Sequence, residues 1–267
     1  MFYYQKKEKM FIEKVERLLR ARFEVPKKFN KNHIILASFP KSGNTWFRFV
    51  SSNIIAKSIG KSEVNFDSIQ RFAPVIRGNT NLKGIISCNA APNFLKTHFY
   101  FVNHFSKYPA LVIYRDPVRT FQSYFNYMNT EQKKNYLDIK RFISSARVGI
   151  NAWNYFYKTW LSKEDAFFIY YDELIKNQLI GLDKIYKTFG YVISEETLNH
   201  SIRLSSRENM ARIEAESGDP MKKNKKYKFV GTTESRYKKL DKDIEAFINE
   251  RTSKIGKELN ERKIQLF

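Results

Sequence analysis

The sequence is poor in cysteine and in long apolar runs. Its 267 residues include one cysteine, Cys88, which excludes an internal disulfide and a zinc site built from several thiolates. Apolar runs such as 110–114 and 166–171 are far shorter than the roughly 20 residues that a membrane-spanning helix needs. Residues 1–14 mix Lys and Glu with aromatics and lack the apolar core of a signal peptide. We therefore expect a soluble protein in the cytoplasm.

Acidic residues are scarce relative to basic ones. The 48 Lys and Arg against 27 Asp and Glu give a formal net charge of +21 at pH 7. Such an excess costs self-repulsion and favours an anionic partner, for example a nucleic acid, a membrane surface, an acidic polymer or a phosphorylated cofactor. The composition, 42% hydrophobic and 16% aromatic, is rich enough for a packed core and excludes a disordered or collagen-like chain.

Short apolar runs alternate with helical patterns along the chain. Strands are predicted at 33–38, 110–114 and 166–170, with one or two further short strands within 85–98. Helices are predicted at 6–23, 45–59, 117–127, 139–161, 172–189 and 241–266, and a loop-rich stretch at 60–83. This alternation predicts a single α/β domain over 1–267, with a central parallel sheet flanked by helices on both faces. An N-terminal helix is predicted within 1–30, and a C-terminal helix within 241–267 is expected to pack on it.

The strongest local signal lies between the first strand and the helix that follows it, in residues 38–46. A turn at a helix N-terminus exposes unpaired backbone N–H groups, and Gly43 allows a ligand to approach the backbone closely. Ser42, Asn44 and Thr45 add side-chain donors, and Lys41 adds a full positive charge. This pattern predicts an anion-binding loop. It is not a Walker-type P-loop, because the lysine precedes the glycine. The alternative is an ordinary strand-to-helix turn.

Two further groups of polar residues lie at predicted strand ends. Arg115 follows the strand 110–114, where open α/β sheets bind ligands, and Ser123 lies on the next helix. An arginine grips a phosphate with two hydrogen bonds, and a serine can donate beside it. Lys96 and His98 end another short strand, where His98 is a candidate general base. Each group alone has a structural alternative: an Arg–Asp surface pair for the first, and a structural histidine for the second.

Together, in this order and spacing, these motifs resemble the sulfotransferases that use 3′-phosphoadenosine 5′-phosphosulfate (PAPS). The 5′-phosphosulfate loop of that family reads Pro-Lys-Ser-Gly-Thr-Thr-Trp, and residues 40–46 differ from it only at Asn44. The family's Lys-Thr-His, which holds the catalytic base, matches residues 96–98. Its 3′-phosphate element, an Arg followed eight residues later by a Ser, matches Arg115 and Ser123. The resemblance extends from about residue 33 to residue 240.

Three more elements of the family have counterparts here. Tyr171 precedes two acidic residues after a strand, as a family tyrosine does. The family's adenine-facing Ser/Thr-Ser-Phe-x-x-Met matches Ser205 to Met210, with Arg207 in place of Phe. The family's last nucleotide element, Arg-Lys-Gly-x-x-Gly-x-Trp, has its nearest match at 226–231, which lacks the Arg, the first Gly and the Trp. In one interpretation Lys226 or Lys228 supplies the lost charge. In the other, the lysines of 222–228 form a solvated loop or contact an acidic acceptor.

The resemblance implies in-line transfer of a sulfonate from PAPS to an acceptor hydroxyl or amine, without a metal. The other product is 3′-phosphoadenosine 5′-phosphate (PAP). The implied catalytic residues are His98 as the base, Lys41 on the leaving phosphate, Lys96 on the sulfonate, and Ser123, which also holds Lys41. The implied nucleotide contacts are the loop residues Lys41, Ser42, Gly43, Asn44 and Thr45 for the 5′-phosphate, Arg115 and Ser123 for the 3′-phosphate, and Trp46, Tyr171, Ser205 and Met210 around the adenosine.

The charge of the chain bears on the acceptor and on rival functions. A net charge of +21 exceeds what one nucleotide demands, which favours an anionic glycan or glycolipid as the acceptor. The alternatives are a Lys-rich composition without functional meaning, and a phenol, steroid or lipid acceptor. Rival functions are a basic nucleic-acid-binding protein, a kinase-like phosphotransferase with Mg²⁺ and ATP, and a sulfotransferase fold that only binds. No recognised nucleic-acid motif is present, so we expect no specific nucleic-acid partner.

Overall fold

A four-stranded parallel sheet organises the part of the chain that the computed structural model describes, residues 29–30, 32–76, 82–218 and 240–266. The strands are β1 (His33–Ser38), β2 (Asn93–Thr97), β3 (Ala110–Tyr114) and β4 (Ala166–Tyr170), in the order β2-β1-β3-β4. Every residue of β1 and β3 is buried, as expected for parallel strands covered on both faces. The helix predicted at 6–23, and Lys226 and Lys228, lie outside the described residues.

Helices cover both faces of this sheet. They are α1 (Asn44–Ser58), α2 (Pro117–Thr130), α3 (Ile139–Ile143), α4 (Ile150–Leu161), α5 (Tyr171–Lys176), α6 (Gln178–Thr188), α7 (Glu195–Leu204), α8 (Arg207–Ser217) and α9 (Lys242–Glu261). Alternate strand residues point to opposite faces. Ile35 and Val112 therefore join a core with α2, α4 and α9, whereas Leu36 and Leu111 join a core with α1 and the helices α5 to α8. The predicted α/β fold is confirmed.

Two helices predicted as continuous are interrupted. The stretch 139–161 is divided into α3 and α4, and Gly149 precedes the first residue of α4. A Cβ atom on Gly149 would lie 2.1 Å from the carbonyl oxygen of Ile143, so the chain folds back closely here and a helix cannot continue through it. The stretch 172–189 is likewise divided into α5 and α6 at Asn177, whose φ of −132° and ψ of 54° are not helical.

Other predicted boundaries also change. Ile85 and Ile86 lie outside any strand, and the N–H of Ile86 donates to the carbonyl of Arg71. The described part of 60–83 contains a short 3-10 helix, Ser68–Arg71. The helices α7 and α8 occupy a stretch for which the sequence patterns above make no prediction.

Short segments pair with both outer strands of the sheet. Beside β2, Lys96 donates its N–H to the carbonyl of Pro74 (2.9 Å), and its carbonyl accepts from the N–H of Ile76 (2.7 Å). Beside β4, the carbonyl of Phe168 accepts from the N–H of Ile264 (2.8 Å). Both segments thus extend the hydrogen bonding of the sheet past its outer strands.

The C-terminal helix packs on the core. It runs over Lys242–Glu261, slightly shorter than predicted, and lies against α4 and α2. Its expected partner, the N-terminal helix, lies outside the described residues. Among the helices of the described chain, none combines the length and the apolar character needed to cross a bilayer.

Because all four strands are parallel, their carboxyl ends meet at one edge of the sheet. β1 is followed there by the turn into α1, and β2 is followed by His98. β3 is followed by Arg115, and β4 runs directly into Tyr171 at the start of α5. The motif residues from four distant parts of the sequence are thereby brought to the same edge.

Candidate functional site

Residues 39–45, hereafter the anion loop, comprise the turn between β1 and α1 and the first two residues of α1. Two of them have backbone angles in the left-handed region, Lys41 with φ 69° and Gly43 with φ 97°. A Cβ atom on Gly43 would lie 2.1 Å from the ring of Tyr171. Both the backbone angle and this close approach therefore require glycine. The first turn of α1 contains no acidic residue, so its unpaired N–H groups and the positive end of the helix dipole suit an anion.

Two of the predicted side-chain donors of the anion loop point into the protein. The Ser42 hydroxyl lies 3.2 Å from the Tyr157 hydroxyl, and the Asn44 amide donates to the Ser38 hydroxyl at 2.8 Å. Both Ser42 and Asn44 are buried, and Thr45 donates to the amide oxygen of Asn44 at 3.5 Å. Because the side chains of Ser42 and Asn44 are engaged within the protein, the main-chain N–H groups and Lys41 are the groups best suited to bind an anion.

Lys41 lies in an apolar and positively charged environment. Its Nζ is 4.9 Å from the centroid of the Tyr127 ring, a distance at which the ring attracts the ammonium. Burial of the ammonium, together with the positive charge of Arg115, lowers the pKa of Lys41 to about 8, and the carboxylate of Glu214 opposes this shift. Near neutral pH the ammonium is therefore charged but loses its proton more readily than an exposed lysine does.

His98 follows β2 and is hydrogen bonded to the last residue of β1. Its Nδ1 lies 2.6 Å from the carbonyl oxygen of Ser38. A carbonyl oxygen can only accept, so Nδ1 carries the proton, and in the neutral ring Nε2 carries the lone pair. Ser38 thus contacts His98 through its carbonyl and Asn44 through its hydroxyl. The candidate base and the anion loop are joined through one residue.

Lys96 lies on β2, two residues before His98, and is half-buried. Its backbone pairs on one side with β1, where its partner is Leu36, and on the other side with the segment 74–76. The backbone position of Lys96 is therefore fixed from both sides, at the same sheet edge as His98.

Arg115 contacts the first two residues of α5, the helix that follows β4. Its Nε is 3.6 Å from a carboxylate oxygen of Asp172, and its guanidinium carbon is 5.5 Å from the centroid of the Tyr171 ring. Asp172 also accepts from the N–H of Asp116 at 3.3 Å. Ser123 is buried in the second turn of α2, the helix that follows Arg115. The structure thus fixes the guanidinium against the β4–α5 junction.

The residues expected around adenosine divide into two groups. Trp46 and Tyr171 are in edge contact, with ring centroids 6.4 Å apart, and Met210 is buried in the same apolar cluster as Trp46. Trp46 itself is only 9% exposed. Ser205 is fully buried, and its hydroxyl accepts from the Asn53 amide of α1 at 3.2 Å. The structure therefore brings Trp46, Tyr171 and Met210 into one region and engages the Ser205 side chain with α1.

Sequence reasoning missed two buried polar residues of this region. Tyr157 on α4 contacts the anion loop, but it lies in an aromatic-rich helix, and no pattern separates it from core tyrosines. Glu214 on α8 is 7% exposed and acts electrostatically on Lys41. Glu214 lies four residues after Met210 and therefore on the apolar face of α8. A carboxylate on an apolar face is a sequence signal that could have identified Glu214 as a candidate functional residue. Within the described chain, no cluster of three or more His, Cys, Asp or Glu side chains is arranged to hold a metal ion.

The sequence is similar to a family model and to several curated proteins. A family model described as "Sulfotransferase domain" matches residues 31–262. Sulfotransferase 6B1 of Mus musculus is 24% identical over 181 residues, which are 62% of this chain and 57% of that protein. The Homo sapiens protein of the same name is 24% identical over 195 residues, 66% of this chain and 61% of that protein. The chain thus spans about three fifths of the length of these curated relatives.

Solved structures resemble this fold at low sequence identity. Mouse sulfotransferase SULT7A1, complexed with PAP, superposes with a TM-score of 0.63 at 16% identity, covering 92% of each chain. Retinol dehydratase, in a complex with retinol and PAP, superposes with a TM-score of 0.62 at 12% identity, covering 94% of this chain and 87% of that one. These similarities extend over nearly the whole chain.

Proposed function

The chain belongs to the sulfotransferase family, and from that premise we propose that it transfers a sulfonate group from PAPS to a hydroxyl or amine of an acceptor. PAPS supplies an activated sulfonate and a phosphate leaving group, and PAP is released. One observation carries the proposal. The candidate base His98 and the anion loop share Ser38, through hydrogen bonds of 2.6 Å to its carbonyl and 2.8 Å to its hydroxyl. A base beside an anion-binding loop is the arrangement that transfer to an acceptor hydroxyl requires.

The residues at the sheet edge suit a nucleotide with two phosphate positions. The N–H groups of residues 42–45 would bind the 5′-phosphate, with that of Ser42 shared with the carbonyl of Phe39, and Lys41 would add charge beside it. Arg115 and Ser123 would bind the 3′-phosphate, and the Asp172 carboxylate, 3.6 Å from Arg115, would orient the guanidinium. The adenosine contacts would be Trp46, Tyr171, Met210 and Ser205, and the outlying Lys226 and Lys228 would add charge near the 3′-phosphate.

The chain's own groups account for the proton and charge movements of the reaction. His98 would receive the acceptor proton at Nε2, because Nδ1 already donates to Ser38. Lys41 would stabilise the negative charge that grows on the leaving phosphate, and Lys96 would help to hold the sulfonate. A sulfonate carries less negative charge than a phosphoryl group, so lysines and a helix N-terminus suffice for this role.

We further propose an anionic glycan or glycolipid as the acceptor. Five exposed basic side chains lie in the segment between α2 and α4, hereafter the basic segment: Lys133, Lys134, Lys140, Arg141 and Arg147. The buried anchor of this segment is Phe142, whose ring packs on Tyr124 (centroids 5.3 Å apart), and Tyr124 packs on Phe39 of the anion loop (5.7 Å). The basic segment is therefore attached to the same structural unit as the anion loop, which supports recognition of a negatively charged acceptor beside it.

The donor half of this proposal is tested by thermal unfolding in the presence of PAP. A ligand at about 100 times its Kd adds roughly 2.7 kcal/mol of stability. We expect stabilisation by PAP and none of comparable size by AMP or Mg-ATP at the same concentration. A preference for Mg-ATP would contradict the proposal and favour a kinase-like phosphotransferase.

The acceptor half is tested by transfer of labelled sulfonate to a carboxylate-bearing glycan, a neutral glycan and retinol, which a structural neighbour binds. We expect the KM of the acidic glycan to rise several-fold between about 50 and about 300 mM NaCl, because salt screens exposed charges. A variant with Lys133, Lys134 and Lys140 changed to Gln keeps Arg141 and Arg147, so it should show a weaker salt dependence and keep its affinity for PAP. Faster transfer to the neutral glycan or to retinol, with no effect of salt, would contradict an anionic acceptor.

A further inference from the structure

The hydroxyl of Tyr157 lies directly beneath the anion loop. Tyr157 is on α4, at a distance of 115 residues in the sequence from Ser42, and it is fully buried. Its oxygen is 3.4 Å from the N–H nitrogen of Phe39, 3.2 Å from the Ser42 hydroxyl and 3.1 Å from the carbonyl oxygen of Ile113. One oxygen atom therefore contacts the start of the loop, its middle and the strand β3 beside it.

The direction of each hydrogen bond follows from a count of protons. The phenol has one proton, and it donates this proton to Ile113, whose carbonyl can only accept. The N–H of Phe39 can only donate, so the phenol oxygen accepts from it. With the phenol proton already committed, the Ser42 hydroxyl must donate its own proton to the same oxygen. Burial raises the pKa of Tyr157 above its usual value, so this pattern persists throughout the neutral range.

The conformation of the anion loop needs such support. Lys41 has a φ of 69°, and the left-handed region is unfavourable for a residue with a Cβ atom. Strained backbone of this kind persists only where the surroundings determine it. The loop's own bond from the N–H of Ser42 to the carbonyl of Phe39 is long, at 3.3 Å. The phenol oxygen contacts both of these residues, which flank Lys41.

We propose that Tyr157 is a positioning residue of the anion loop: its phenol oxygen fixes Phe39 and Ser42, and thereby sets Lys41 and the loop N–H groups in place before the nucleotide binds. The expected effect of Tyr157 on PAP binding rests on the proposed function. The expected effect of Tyr157 on the anion loop does not. In this arrangement the hydroxyl of Ser42 donates to Tyr157 and stabilises the loop, and it is not a phosphate ligand.

The test compares two tyrosine-to-phenylalanine variants. Tyr157→Phe removes the oxygen and keeps the ring, which packs on Trp153 and Phe156. Tyr186→Phe is the matched control, because Tyr186 is also fully buried and its hydroxyl has no hydrogen-bond partner among the described residues. We expect Tyr157→Phe to raise the Kd of PAP about tenfold and to lower kcat, with the KM of the acceptor unchanged, and Tyr186→Phe to change none of them. A purely structural role would lower only the unfolding temperature of Tyr157→Phe.

Hydrogen exchange of the loop amides without nucleotide separates this inference from the proposed function. In Tyr157→Phe the amides of residues 39–45 should exchange faster than in the wild type, and in Tyr186→Phe they should not. Unchanged exchange in both variants would overturn the inference, even if the wild type binds PAP. Faster exchange in a protein that does not bind PAP would support the positioning role of Tyr157 and refute the proposed binding of PAP. If Tyr157→Phe does not fold, Ser42→Ala removes one of the bonds without altering the core, and faster exchange of 39–42 is again expected.

Discussion

The protonation of Lys41 predicts how nucleotide binding depends on pH. Burial of its ammonium and the nearby charge of Arg115 place its pKa at about 8. A phosphate at the anion loop prefers the charged form, so binding and protonation favour each other. The affinity for PAP should therefore change little near pH 7, where most Lys41 side chains are charged, and fall as the pH rises through 8. At pH 9 about one molecule in eleven retains the proton, which predicts an affinity about tenfold weaker than at pH 7.

Calorimetry measures both consequences. Titrations with PAP between about pH 7 and about pH 9.5, each in two buffers of different ionisation enthalpy, give the Kd and the number of protons taken up on binding. At pH 8 half of the Lys41 side chains are neutral, so about half a proton should be taken up per PAP bound. The phosphates of PAP ionise with a second pKa near 6, so they contribute little in this range.

The matched variant for this experiment is Lys41→Arg. Arginine remains charged at these pH values, so its affinity for PAP should not change with pH and no proton should be taken up. Lys41→Met should bind weakly throughout, also without pH dependence. The reasoning would be refuted if wild-type affinity stayed constant to pH 9.5, or if Lys41→Arg lost affinity over the same range as the wild type.

Two substitutions test the other residues of the site. His98→Gln should lower kcat by about 10²–10⁴, because the base is lost, and leave the calorimetric Kd of PAP nearly unchanged; retention of most of the turnover would show that another group accepts the proton. Gly43→Ala should destabilise the protein by about 1–3 kcal/mol and abolish PAP binding, because its Cβ would meet the Tyr171 ring at 2.1 Å; unchanged binding in a folded Gly43→Ala variant would contradict the described loop.

The sequence predicted well those parts of the fold in which a single physical signal determines where an element begins and ends. The bounds of β1, β3 and β4 agree with the prediction, because a buried parallel strand is a nearly continuous apolar run of strand length. The breaks before Gly149 and at Asn177 were missed, because the apolar period continues across both. Only the folded backbone shows them, through the close approach of Gly149 to Ile143 and the non-helical angles of Asn177.

The candidate site shows the same division. The motif residues could be assigned to one sheet edge in advance, since parallel strands bring their carboxyl ends together. The sequence could not predict that the side chains of Ser42 and Asn44 point into the protein. A hydroxyl or an amide can equally well bind an anion or form a hydrogen bond that stabilises a loop. Tyr157 and Glu214 come from distant helices, so only the folded chain shows that they act on Lys41 and its neighbours.

The pairing of 74–76 with the outer strand β2 has a consequence for solubility as well as for the position of Lys96. An uncovered strand edge is a template for pairing with another copy of the chain, and it promotes aggregation. Here the carbonyl of Pro74 and the N–H of Ile76 cover the N–H and the carbonyl of Lys96, a residue that we propose helps to hold the sulfonate. A change that loosened 74–76 would therefore expose the outer side of β2 and also remove one of the two contacts that fix the backbone of Lys96. The same two hydrogen bonds thus protect the sheet against self-association and hold the backbone of Lys96 in place.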